Sequence, residues 1–261
     1  MTTSVVSLLG ETLPLAVAEQ GSAHPYLLLH GGAGPGSLQG LATALAATGR
    51  VVLPTHPGFA GQPRPAWFRR VDDLVLAYLA LLERLDLHQV VVVGNSVGGW
   101  LAAELGLRAS PRVAALVLLD AVGLEPNEAT GPISDPVQLA PAERGAYAFH
   151  DPARFAAALA SADAPTLAAN QQTLRVYAGE PFMHDPTLRP RLPELSLPTL
   201  VLWGESDRIV TPAYGRELAG LIPAAQFEVL AQAGHFPQVE QLDQVTSRIQ
   251  TFQAQYVSAA S

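Results

Sequence analysis

Gly94-Asn95-Ser96-Val97-Gly98 follows directly on the apolar run Gln89-Val90-Val91-Val92-Val93, and a helix-like stretch from Val97 to about Arg108 continues it. A β-branched run that closes on a serine between two glycines reads as a strand turning sharply into a helix. Glycine is needed on both sides because strand and helix backbones pass too close for a side chain. The strained turn lifts the serine hydroxyl clear of the sheet. Such a hydroxyl is a weak nucleophile at neutral pH until a base takes its proton. The motif therefore predicts a histidine and an acid further along the chain.

On the N-terminal side, Ser4–Leu9 and Leu13–Ala18, separated by Gly10-Glu11, read as a hairpin. The wholly apolar runs Tyr26–Leu29 and Arg50–Leu53 read as strands covered on both faces. A helix is expected near Leu38–Ala47, and Val71, Leu74, Val75, Tyr78, Leu79, Leu82 and Leu85 recur at helical spacing. Val113–Leu119 is a further strand. The pattern resumes with a strand at Thr199–Trp203, a helix after Pro212, a strand at Gln226–Leu230 and a closing helix over about 238–255. Strands alternating with helices give βαβ units and a mostly parallel sheet. Between them, residues 124–197 are rich in Ala, Pro and helix-like segments and carry no convincing strand. They are expected to form a helical cap inserted into a core made of 1–123 and 198–261.

The 261 residues suit one large α/β domain; 49% are hydrophobic and 15% charged, a balance that argues against disorder. A formal charge of −8 disfavours nucleic acid and anionic membranes as partners. With no cysteine, disulfides and thiolate metal sites are excluded. The N-terminus lacks a signal-peptide pattern and no apolar run reaches spanning length, so a cytoplasmic protein is expected.

The base and acid can be found. Asp207 lies just beyond the strand ending at Trp203, and His235 follows the last strand in Ala233-Gly234-His235-Phe236. Ser96, Asp207, His235 is the chain order expected for this architecture, and all three fall at the carboxyl ends of strands. Histidine can accept the serine proton and return it to the leaving group, while the aspartate orients the imidazole. Asp120 also ends a strand and is a rival acid; Glu205 reads as a solvated turn residue. The loop His30-Gly31-Gly32-Ala33-Gly34-Pro35-Gly36 brings backbone N–H groups near a reacting oxygen. The N–H groups of Gly32 and Val97 are the candidate oxyanion hole, with Ala33 as the substitute for Gly32, and His30 is expected to shape the loop. The loop lacks a P-loop ending, and no close set of His, Asp and Glu asks for a metal. No cofactor is expected.

His30-Gly31-Gly32, His56-Pro57-Gly58-Phe59, Gly94–Gly99, Trp203–Asp207 and Gly234-His235 together resemble the α/β-hydrolase fold family over nearly the whole chain. The resemblance implies an eight-stranded, mostly parallel sheet with helices on both faces and a cap over the active site. Serine at 96 separates the chain from the haloalkane dehalogenase and epoxide hydrolase branches, which have aspartate there. The loops at 30–36 and 94–99 are similar to those of carbon–carbon bond hydrolases acting on ring-fission products. In that group a tryptophan commonly follows the histidine, where this chain has Phe236, and a cap arginine is used, for which Arg154 and Arg175 are candidates. Carboxylesterases and peptidases of the fold have similar loops.

The expected activity is hydrolysis of a small, largely apolar carboxylic ester through an acyl-enzyme. Cleavage of a ring-fission diketone acid is the alternative, and a non-catalytic receptor on the same fold is another. Ala33, Phe59, Asn95, Trp100, Tyr147 and Phe236 are candidate substrate contacts. Phe149, Phe155, Tyr177, Phe182 and Met183 add apolar surface to the cap. The substrate is a small molecule; oligomeric state is not legible.

Overall fold

The computed structural model describes residues 1–153, 164–223 and 225–256. Eight strands form one sheet: β1 (Thr2–Leu8), β2 (Leu13–Gly21), β3 (Pro25–Leu29), β4 (Arg50–Pro54), β5 (Val90–Asn95), β6 (Val113–Leu119), β7 (Thr199–Gly204) and β8 (Ala225–Leu230). Their order is β1-β2-β4-β3-β5-β6-β7-β8. β1 and β2 form the expected hairpin, β2 runs antiparallel to β4, and every later pair is parallel. This is the α/β-hydrolase sheet, open at both edges.

The central strands are apolar throughout because both faces are covered. Alternate residues divide between two cores. Leu27, Leu29, Val90, Val92 and Leu116 point to the face covered by α2 (Val71–Arg84), α3 (Val97–Leu107) and α7 (Pro212–Gly220). Leu28, Val51, Val91, Val93 and Val117 point to the opposite face, under α1 (Gln39–Leu45) and α9 (Leu242–Tyr256). Asp73 helps start α2 by accepting the N–H groups of Arg69 and Arg70, an acidic cap that satisfies donors with no helical partner.

The single closing helix expected over 238–255 is two: α8 (Pro237–Glu240) and α9, separated at Gln241. The break turns the Glu240 carboxylate inward, where it accepts N–H groups from His150, Asp151 and Gly234. Between β6 and β7 the described residues include the α-helices α4 (Pro141–Ala148), α5 (Ala164–Ala178) and α6 (Leu188–Arg191), together with loops and turns. Leu174, Tyr177, Met183 and Leu188 from this segment join the α3-side core. Three hydrogen bonds fasten α5 to the loop after β4: Tyr177 Oη to Pro57 O at 2.9 Å, Thr173 Oγ1 to Gly58 O at 2.9 Å and Ala60 N to Asn170 Oδ1 at 2.8 Å.

Candidate active site

Ser96 joins β5 to α3 with φ +58° and ψ −121°, a conformation that costs a non-glycine residue about 1–3 kcal/mol. Neighbouring close approaches hold it there. A Cβ on Gly94 would lie 2.0 Å from Gly98 O, and one on Gly98 would lie 2.0 Å from Leu29 O. The two glycines are thus required by backbone-to-backbone contact, as their spacing suggested. Gly31 also borders the serine: a Cβ there would sit 3.4 Å from Ser96 Oγ. The glycine loop therefore runs beside the hydroxyl. The Val97 N–H, first in α3, has no carbonyl acceptor in its own helix.

Asp207 and His235 are brought together. His235 Nδ1 donates to Asp207 Oδ2 at 2.8 Å, and both side chains are buried. The other carboxylate oxygen, Oδ1, accepts the N–H groups of Ile209 and Val210 at 2.8 and 3.2 Å. The turn after β7 thus aims Oδ2 at the ring. The backbone around His235 is held from three directions. His235 N donates to Ala148 O at 2.7 Å, Gly234 N to Glu240 Oε2 at 2.7 Å, and Asn95 Nδ2 to His235 O at 3.0 Å. The last bond ties the histidine loop to the residue next to Ser96. No hydrogen bond joins Ser96 Oγ to the imidazole in this structure; such contacts commonly tighten only around substrate.

Asp120 lies in the same cluster. An oxygen of each aspartate and a ring nitrogen of His235 are all within 4.8 Å of one another. Among the described residues this is the one set close enough to share a cation. The 2.8 Å separation of Nδ1 and Oδ2 is a hydrogen-bond length, shorter than the roughly 3.3 Å between neighbouring ligands of a tetrahedral zinc ion. Burial, and next the Asp207 charge, push the Asp120 carboxyl well above the ordinary range.

His30 shapes its loop by donating from Nδ1 to Gly31 O and accepting His56 N–H at Nε2. His56 stacks on it at 3.7 Å, donates from Nε2 to His30 O and accepts the Tyr78 hydroxyl at Nδ1. Burial holds both rings neutral, pushing His56 down to about 4 and His30 well below its usual value.

Other candidates fall in different surroundings. Asn95 is fully buried and bonded to Leu119 O and His235 O; it braces backbone where a substrate contact was expected. Phe59 is also buried, edge-on to His30, so it supports the loop from beneath. Trp100 lines a cavity of about 300 Å³ with Tyr177, Glu180 and His184, apart from Ser96. Phe236 stacks on Phe149 at 5.2 Å and meets His235 edge-on, while Tyr147 packs in the same small cluster. Ala33 is exposed and Gly32 faces α5, where a Cβ would lie 2.6 Å from Leu174 Cδ2. Arg175 pairs with Asp135 at 2.7 Å; Arg154 and Phe155 lie outside the described residues. Glu240 was missed by sequence reasoning. Its only signal is an acid one short turn beyond Gly234-His235.

A family model described as the alpha/beta hydrolase family matches residues 26–248. The chain is 30% identical over 258 residues to a 2-hydroxymuconate semialdehyde hydrolase of Pseudomonas putida, covering 91% of this chain and 89% of that protein. It is 28% identical over 238 residues to a 2-hydroxy-6-oxo-2,4-heptadienoate hydrolase of another Pseudomonas putida strain, covering 85% and 86%. Among solved structures, a meta-cleavage product hydrolase from Pseudomonas fluorescens IP01 superposes with a TM-score of 0.76 at 23% identity, over 95% of this chain and 96% of that one. That likeness is one of fold.

Proposed function

The chain belongs to the alpha/beta hydrolase family, and from that membership we propose that it is a cofactor-independent serine hydrolase acting on a small, largely apolar carboxylic ester. The observation that carries the reading is the buried Asp207–His235 pair, tied through Asn95 to the strained turn that presents Ser96. Ser96 Oγ attacks the carbonyl carbon as His235 takes its proton. The oxyanion is held by the N–H groups of Gly32 and Val97. His235 returns the proton to the leaving alcohol, and an acyl-Ser96 ester remains. His235 then activates water to release the acid. Asp207 stabilises the imidazolium in both steps. Residues 124–197 act as the cap over the core of 1–123 and 198–261, and select the acyl group.

The curated relatives favour a second reading, hydrolysis of the carbon–carbon bond of a ring-fission diketone acid by the same residues. That substrate brings a carboxylate, and Arg175, one of the two cap arginines expected to meet it, is engaged by Asp135. Short p-nitrophenyl esters should give a burst of nitrophenol that Ser96→Ala abolishes. Rapid turnover of a coloured ring-fission product with poor esterase activity would establish the second reading instead.

A further inference from the structure

Asp120 is a buried titratable group that the proposed mechanism leaves without a role. It directly follows β6, accepts Gly204 N–H at Oδ1 over 2.8 Å, and is fully enclosed. Its other oxygen, Oδ2, is buried, and among the described residues no donor reaches it. An ionised carboxylate with an unpartnered oxygen in such a site would be costly. Asp207, within 4.8 Å, receives three N–H donors to the one that Asp120 receives. Two carboxylates this close do not both ionise when buried. The better-solvated one keeps the charge, and the other keeps a proton.

We propose that Asp120 is a neutral carboxylic acid that donates a hydrogen bond from Oδ2 to the Asp207 carboxylate, and so is a positioning residue for the Asp207–His235 pair. The orphaned oxygen then becomes a donor, and Asp207 is the acceptor at hand. The charged groups facing Asp120 are Asp207, Glu240 and His235. The two carboxylates both favour the protonated form, in line with the raised value at this site. Donation to Asp207 spreads its negative charge and weakens its hold on the imidazolium proton. It also adds a further restraint on a carboxylate whose Oδ1 is already held by the Ile209 and Val210 N–H groups.

The proposal rests on reading Ser96, His235 and Asp207 as the catalytic set, so its test has an arm independent of turnover. Infrared spectra of the whole protein at neutral pH should show a protonated carboxyl C=O band that Asp120→Asn removes. Absence of that band overturns the proposal, whether or not the enzyme is active. In kinetics, Asp120→Ala should lower kcat about tenfold and move the acid limb of kcat/KM to higher pH by about half a unit. Asp120→Asn, whose amide can still donate to Asp207 and accept from Gly204, should restore most of that loss and return the limb. A merely structural role would lower stability and leave the limb in place, which overturns the proposal, as would Asn behaving like Ala. If Asp120→Ala does not fold, the infrared comparison decides. Persistence of turnover in Ser96→Ala would instead overturn the catalytic reading and leave the infrared result standing.

Discussion

Asp207 gives one carboxylate oxygen to the backbone of its own turn and the other to His235, so an amide cannot replace it. In Asp207→Asn one of those positions meets an N–H instead of an acceptor, and the imidazole loses its preferred tautomer. The expected result is a fall in kcat of about 10⁴-fold with little change in inhibitor binding, read by steady-state kinetics on nitrophenyl esters. Tyr78 supports a different pair of rings. Tyr78→Phe strips His56 Nδ1 of its donor inside the core, and should cost about 1–3 kcal/mol in urea denaturation. At this scale the sequence was informative about Ser96, Asp207 and His235, because each follows a strand at the carboxyl edge of the sheet. It offered Asp120 as a rival acid and Asn95 as a substrate contact, but gave no sign that Asp120 would lie beside Asp207 or that Asn95 would brace backbone, because those surroundings depend on which groups from distant strands come within 3 Å or so.

The turn from β5 into α3 is the element on which the site is built, and it leaves no room for a side chain at either Gly94 or Gly98. Gly98→Ala places a methyl against the carbonyl of Leu29, and neither backbone can retreat without breaking the β3–β5 ladder. A loss of about 3 kcal/mol or more is expected, measured as a shift in the denaturation midpoint; an unchanged midpoint would show that the turn can open. Periodicity located every strand to within a few residues and most helices, since each has an apolar face matched to its period. It missed the break at Gln241, beside which Glu240 turns inward to accept backbone N–H groups of His150, Asp151 and Gly234. It also left the packing of α5 undetermined, as the bonds from Asn170, Thr173 and Tyr177 reach a loop far off in the chain.

Across the whole molecule, burial gives stability a pH dependence with two opposing parts. His56 is held at about 4 in the folded chain, against about 6.5 when unfolded. Below pH 6.5 the unfolded chain takes up a proton that the folded one refuses, so stability falls until the pH nears 4. His56 alone removes about 3 kcal/mol over that window, and His30 acts in the same direction. Asp120 has the opposite sign, since its raised value means the folded chain holds a proton that the unfolded one has released. Urea midpoints should therefore fall more steeply between pH 6.5 and 4 in Asp120→Asn than in the wild type; equal slopes would contradict this. The linear chain by itself determined that a parallel sheet with two apolar faces would form and that a strained serine would stand at its edge. Those facts are encoded in spacings of a few residues. Only the tertiary structure decided that Asp207 and His235 pair, that Asn95 and Glu240 brace them, and that Asp120 shares their enclosure. Hydrogen bonds and burial act over a few ångströms in space, between groups that the order of residues keeps far apart.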